Sequence, residues 1–236
     1  MTNTSRNFDT SNWGQAPHNR SSFQYVQSLF PTARLRRGAH SASVFQRRDQ
    51  DLSAITYLGL DGQQRDVQQM LRDTYTDAFL VIQDDAIVME SYDNGMAPDS
   101  HHLLNSVSKT FLSMLLGTLV ADGLIDPNER VTKYMPEFAN TAFRETTVQH
   151  ALDMTAAVSF GEDYADPLAD FWIETSVVGW RPALVNDRTP ATLHDYARSL
   201  TKTEQLDGEK FHYRTVLTNV LAMVIEQATS EQVQHL

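Results

Sequence analysis

The stretch that decides the fold is Leu104-Asn-Ser106-Val-Ser-Lys109-Thr-Phe111-Leu112-Ser-Met-Leu115-Leu116-Gly-Thr-Leu119-Val120-Ala121. Apolar residues recur in it at helical spacing, at 111, 112, 115, 116, 119 and 120, so it predicts a helix opened by Ser106. The helix is apolar on most sides, which predicts burial. Gly123 is a natural C-terminal stop just beyond it. On a helix, residues i and i+3 share a face one turn apart. Ser106 and Lys109 therefore place an amine beside a hydroxyl. A serine hydroxyl is a weak nucleophile and needs such a base within hydrogen-bond reach. A serine at a helix N-terminus also has a free backbone N–H and a favourable dipole for a developing oxyanion. The competing role for Ser106 is that of an N-cap.

The spacing alone is weak, because Ser199-Leu-Thr-Lys202 repeats it. Ser199 falls near the end of an amphipathic helix and is followed by polar residues, the pattern of a solvated helix terminus. Ser106 instead comes after a hairpin signal. Ala78–Gln83 and Ala86–Tyr92 are short runs rich in β-branched and aromatic residues on either side of Asp84-Asp85. Asp93-Asn-Gly95 then marks a turn. Further helices are expected at Asp66–Thr76, Thr147–Met154, Thr192–Leu200 and Val216–Ala228. Between them, Asp126–Phe138 reads as a loop with a short turn, and Phe160–Arg188 as a long, partly helical loop of the kind that often carries function.

The chain has 236 residues, 41% of them apolar and 21% charged, which is ordinary globular usage. A net charge of −11 opposes binding to nucleic acid or anionic membrane. Arg34, Arg36 and Arg37 form only a short cluster. There is no cysteine, which excludes disulfides, thiolate metal sites and a cysteine nucleophile. Met1–Arg20 lacks an apolar signal-peptide core, and no apolar run is long enough to span a bilayer, so a cytoplasmic location is the expectation. Residues 1–45 are polar and read as an extension, packed down by Trp13, Phe23, Tyr25 and Phe30. Residues 46–236 read as one domain.

Several motifs in order resemble one superfamily. Phe79-Leu-Val-Ile-Gln-Asp-Asp-Ala-Ile-Val-Met-Glu-Ser-Tyr92 is similar to the hairpin before the nucleophile in class C β-lactamases, DD-peptidases and related esterases. Leu104-Asn-Ser106-Val-Ser-Lys109 resembles their first motif. Asp122-Gly-Leu-Ile-Asp126 and Tyr134-Met-Pro-Glu137 resemble the segment after the nucleophile helix, and Thr147-Val-Gln-His-Ala-Leu-Asp-Met154 is similar to the helix after that. Asn12-Trp13, Asn19-Arg-Ser-Ser-Phe23 and Glu162-Asp-Tyr-Ala-Asp-Pro167 are similar to the 6-aminohexanoate-dimer hydrolase branch.

The resemblance implies an α/β (α+β) fold of the β-lactamase/transpeptidase type: an antiparallel sheet flanked by helices, plus a helical subdomain. It implies an acyl-enzyme hydrolase of a linear amide or small ester. Ser106 is then the nucleophile, and Lys109 and Tyr213 manage protons. Tyr213, in Phe211-His-Tyr213-Arg-Thr215, matches the second motif, where Thr215 stands in place of the β-lactamase asparagine. Tyr164 matches a substrate contact on a loop, and Thr215 is the second expected contact. Glu162, Asp163, Asp166 and Asp170 around Tyr164 lack histidine and calcium-loop spacing, and a solvated acidic loop is the expectation. His101-His102 reads as a turn.

The implied chemistry calls for no metal or organic cofactor. Its partner is a small-molecule amide or ester, with no nucleic acid and no membrane, and self-association into a homo-oligomer stays open. The third motif of the family, a Lys-Thr-Gly or His-x-Gly strand, is absent from the sequence. The expectation is therefore a C-terminally incomplete domain lacking the second oxyanion donor. On that expectation the hairpin keeps an open edge, and Leu217, Val220, Leu221 and Val224 lack a partner. The alternative to a hydrolase is an inactive relative that acts, if at all, by binding.

Overall fold

The computed structural model describes residues 8–35, 38–182 and 190–236. Arg36 and Arg37 lie outside the described residues, as does the end of the Phe160–Arg188 stretch. The chain divides into two compact units, Met1–Leu103 and Leu104–Leu236.

The first unit begins with a short helix, α1 (Asn19–Ser22). The ring of Trp13 meets Phe23 at 6.0 Å and Phe30 at 5.3 Å, and the buried Ser22 hydroxyl donates to the carbonyl of Trp13. The polar N-terminal stretch is thus tied down by its few aromatics. Then come β1 (Gln46–Arg47), β2 (Thr56–Leu58), β3 (Gln64–Asp66) and α2 (Val67–Asp73). Asp66 caps α2 by accepting from the Gln69 amide at 2.7 Å.

The expected hairpin is β4 (Ala78–Gln83) and β5 (Ala86–Tyr92). Its two-residue loop needs positive φ at both positions, and Asp84 and Asp85 supply 51° and 55°. On β5, Ala86 and Val88 are buried. The sheet order is β1-β5-β4. The short β1 pairs with β5 in parallel, Gln46 opposite Ala86, so the sheet is mixed where an antiparallel one was expected. Two paired residues carry no pattern that a sequence could betray. β4 forms an edge of this sheet, with Leu80 and Ile82 exposed.

The second unit is helical: α3 (Ser108–Ala121), α4 (Val131–Tyr134), α5 (Val148–Leu152), α6 (Asp170–Val177), α7 (Leu193–Ser199) and α8 (Thr215–Thr229). α3 ends as expected, with Gly123 at φ 74° and the Leu124 amide bonded back to the Leu119 carbonyl. α5 and α7 start at threonine caps, Thr147 accepting from the His150 amide and Thr192 from the Asp195 amide. α8 is the core element. Leu217, Val220, Leu221 and Val224 are buried in it, because α3, α4, α5 and α7 all pack against α8. The expectation that these four lack a partner is corrected accordingly.

A second correction concerns α3. Only Leu116 and Leu119 on it are buried, while Phe111 and Met114 are 62% and 65% exposed. No helix among the described residues is long and apolar enough to cross a membrane.

These burials give a stability test. Leu217→Ala should cost about 2–5 kcal/mol, as a buried truncation does. Met114→Ala on the exposed face of α3 should stay within about 0.5 kcal/mol. Urea midpoints of the two variants beside wild type check both values.

Candidate active site

Ser106 does not begin the α-helix, as the sequence suggested. It sits in a 3-10 turn, Asn105–Val107, and α3 begins two residues later. Asn105, at φ 46°, bends the chain into that turn through the left-handed region, which asparagine tolerates better than most side chains. Lys109 follows in the first turn of α3, and its Nζ donates to Ser106 Oγ at 3.2 Å. Ser106 is exposed and Lys109 half-buried. The decoy pair behaves otherwise. Ser199 ends α7 with its hydroxyl donating to the Tyr196 carbonyl at 2.7 Å, so that hydroxyl proton is committed to the backbone.

Tyr213 comes to the pair from the segment before α8. Lys109 Nζ lies 5.4 Å from its ring centroid. Two anchors fix that segment. The His212 amide donates to the Met154 carbonyl at 2.9 Å. Arg214, fully buried, donates to the carbonyls of Ala156 and His212 at 3.1 and 3.2 Å and to Oε1 of Glu204. His212 Nδ1 shares that same oxygen. Burial works to raise the Glu204 pKa, yet the hydrogen bonds from His212 and Arg214 outweigh it and hold the carboxyl below its ordinary range.

Glu162 is the residue that sequence reasoning underrated. Its Oε2 accepts the Thr215 amide at 2.6 Å, and its Oε1 accepts the Thr215 hydroxyl at 2.7 Å and the Tyr164 hydroxyl at 2.8 Å. It is therefore no solvated acid. It caps α8, whose own N-cap residue, Arg214, makes no side-chain capping bond. Asp163, Asp166 and Asp170 are held locally, accepting from the amides of Ala165, Leu168 and Gly161. The acidic run in the sequence conceals the carboxylate that caps α8, two turn-formers in Asp163 and Asp166, and Asp170, which reaches nine residues back to Gly161. Among the described residues, no group of three or more histidine, aspartate or glutamate side chains is arranged to hold a metal ion.

Thr215 is placed beside the site, but its hydroxyl proton goes to Glu162. Tyr164 packs against Phe171 and Trp172, with ring centroids at 5.0 and 6.2 Å. It stays 57% exposed. Withdrawal of its hydroxyl from water, and then the Glu162 carboxylate, push the phenol up to about 12. Tyr164 is thus a standing hydrogen-bond donor and not a proton carrier. The site brings Ser106 and Tyr213 together around the Lys109 Nζ, and Glu162 joins Tyr164 to Thr215. His102 takes no part in that cluster; its Nε2 lies 3.2 Å from Asp77 in the first unit.

Comparison with known proteins places the chain in a family. The sequence profile of the β-lactamase family matches residues 64–236. The 6-aminohexanoate-dimer hydrolase of Paenarthrobacter ureafaciens is 36% identical over 220 residues, which is 92% of this chain and 53% of that protein. The chain spans about half the length of this curated relative. A solved structure from Bacillus anthracis, provisionally assigned as a 6-aminohexanoate-dimer hydrolase, matches with a TM-score of 0.86 at 23% identity, covering 99% of this chain and 61% of the other. A provisionally assigned β-lactamase from Bacteroides dorei matches at 0.52 and 17% identity, covering 70% and 45%. At such identities the structural matches speak for the fold.

The cap can be tested by stability. Glu162→Ala should cost about 1–2 kcal/mol, and Glu162→Gln less, since the amide retains one acceptor oxygen. Asp163→Ala should stay within about 0.5 kcal/mol. Chemical denaturation of the three variants measures the difference.

Proposed function

We propose, from the premise that this chain belongs to the β-lactamase family, that it is built to hydrolyse a linear amide or small ester through an acyl-enzyme on Ser106. The fold is β-lactamase/transpeptidase-like, of mixed α/β content, and the relatives it matches are named as hydrolases. The observation that carries the proposal is Lys109, with its Nζ 3.2 Å from Ser106 Oγ and 5.4 Å from the Tyr213 ring.

In the reaction, Ser106 Oγ bonds to the substrate carbonyl carbon as its proton passes to the unprotonated Lys109 amine. The backbone N–H of Ser106 faces the oxyanion. Tyr213 relays the proton to the leaving amine or alcohol as the C–N or C–O bond breaks. Water then attacks the ester, and the acid leaves as Ser106 Oγ regains its proton. Tyr164 and Thr215 contact the substrate. The name of the Paenarthrobacter relative favours a short aminohexanoate amide as substrate. The reaction calls for no cofactor, and a binding role without turnover is the second reading.

Labelling with a fluorophosphonate probe and turnover of a p-nitrophenyl ester test the proposal. Wild type should label at one site, and Ser106→Ala should not. Lys109→Met should slow labelling by at least about 10²-fold. Ser199→Ala and Lys202→Ala should match wild type. A folded wild type that neither labels nor turns over would sink the hydrolase reading and leave the binding one.

A further inference from the structure

The stretch from Phe160 to Pro182 holds five acids, Glu162, Asp163, Asp166, Asp170 and Glu174, and one base, Arg181. Each acid is engaged elsewhere. Glu162 caps α8, the three aspartates accept backbone amides, and the buried Glu174 accepts from Asn219 Nδ2 at 2.8 Å. Arg181 forms no ion pair and no hydrogen bond among the described residues. Its guanidinium carbon lies instead over the Trp172 ring, 3.3 Å from the centroid.

Trp172 ends a row of three rings. Its centroid is 4.7 Å from that of Phe171 and 6.2 Å from that of Tyr164, and Phe171 and Tyr164 are 5.0 Å apart. Phe171, Trp172 and Arg181 are half-buried, and Tyr164 is more open than any of them. The Tyr164 hydroxyl and the Thr215 hydroxyl meet on the same oxygen of Glu162, so printed contacts run from Arg181 along the rings to the residue two places after Tyr213.

A half-buried guanidinium without an acceptor is poorly compensated, and burial draws its pKa below the ordinary arginine value. The indole meets one face of the group and leaves its N–H edge free. That edge is a planar fork that matches a carboxylate with two parallel hydrogen bonds. The rings beside it offer apolar surface of the kind that takes a methylene chain. A ligand that uses both must carry the two chemistries in line.

We propose that Arg181 and the Trp172, Phe171 and Tyr164 rings form a subsite for a linear aliphatic chain that ends in a carboxylate, with the chain along the rings and the carboxylate on the guanidinium. The proposal deepens the proposed function, and rests on it, in making this chain one end of the amide or ester that Ser106 attacks. The binding itself does not rest on it. The net charge of −11 works against any anion, so a preference for the carboxylate has to come from a local cation.

The first experiment titrates the 15N-labelled full chain with hexanoate and with uncharged hexanamide. It follows the Trp172 indole signal, identified as the one lost in Trp172→Phe. Hexanoate should move that signal and bind about tenfold more tightly than hexanamide. Arg181→Gln should abolish the difference, and Arg181→Lys, a second variant should the first not fold, should keep only part of it. Equal binding of the two ligands to wild type, or a preference undiminished in a folded Arg181 variant, overturns the inference. Inorganic phosphate lacks the chain, and binding as tight as that of hexanoate overturns it too.

The second experiment compares turnover of mono-p-nitrophenyl adipate with p-nitrophenyl hexanoate, and of N-hexanoyl-6-aminohexanoate with its carboxamide. One carboxylate-ended member should have the lower KM, and Arg181→Gln should shrink that ratio. The pair that shows it tells which end of the substrate reaches Arg181. No carboxylate preference in either pair overturns the assignment to substrate. If nothing turns over, the proposed function fails, and the indole titration alone decides whether the subsite exists.

Discussion

A carboxylate seated on the first turn of the main core helix governs this site. α8 starts at Thr215 with exposed amides, and its N-cap residue is an arginine that cannot accept a hydrogen bond. Glu162, distant in sequence, supplies the acceptor and places negative charge at the positive end of the helix. Because the same side chain also takes the Thr215 and Tyr164 hydroxyls, one ion joins the loop, the helix start and the aromatic wall. Tyr213 lies two residues before Thr215, and the buried Arg214 between them is held by Glu204 and two carbonyls. The backbone on both sides of Tyr213 is thereby fixed where its ring meets Lys109.

The serine–lysine pair depends on a similarly small feature. Asn105 in the left-handed region leads into a 3-10 turn, and the α-helix begins only after Ser106. This places Lys109 over the hydroxyl. Ser199 and Lys202 share the spacing and lack the register, since α7 ends at Ser199 and the intervening residues leave the helix. Ser-x-x-Lys thus acquires chemical meaning only where the chain enters a helix at the serine, not where it leaves one.

Legibility followed the range of the interaction. The hairpin was readable because its β-branched runs and its Asp84-Asp85 loop are local, and the caps at Asp66, Thr147 and Thr192 lie three residues from the amides they serve. The burial of α3 was not. A helix apolar all round reports no direction, and only its Leu116 and Leu119 turn into the core. Glu162, Glu174 and Arg214 were missed for a related reason. Their partners lie tens of residues away, and nothing in Glu162-Asp-Tyr-Ala-Asp-Pro167 separates the acid that caps a helix from its neighbours that form turns.

The same acids set an electrostatic limit on the chemistry. In the proposed reaction a lysine must accept a proton, which negative charge hinders, and the second unit gathers three carboxyls, Glu162, Asp170 and Glu174, close enough to act on one another. The fold meets this conflict in two ways. Glu162 and Asp170 direct their charge onto the donors they accept from, backbone amides in both cases, and those bonds draw the negative potential inward. Glu174 is left with a single hydrogen bond in the interior, where burial pushes its carboxyl up to about 7. The Glu174 Oε2 is buried with no partner among the described residues, so the carboxyl resists ionisation where Glu162, with three hydrogen bonds, does not.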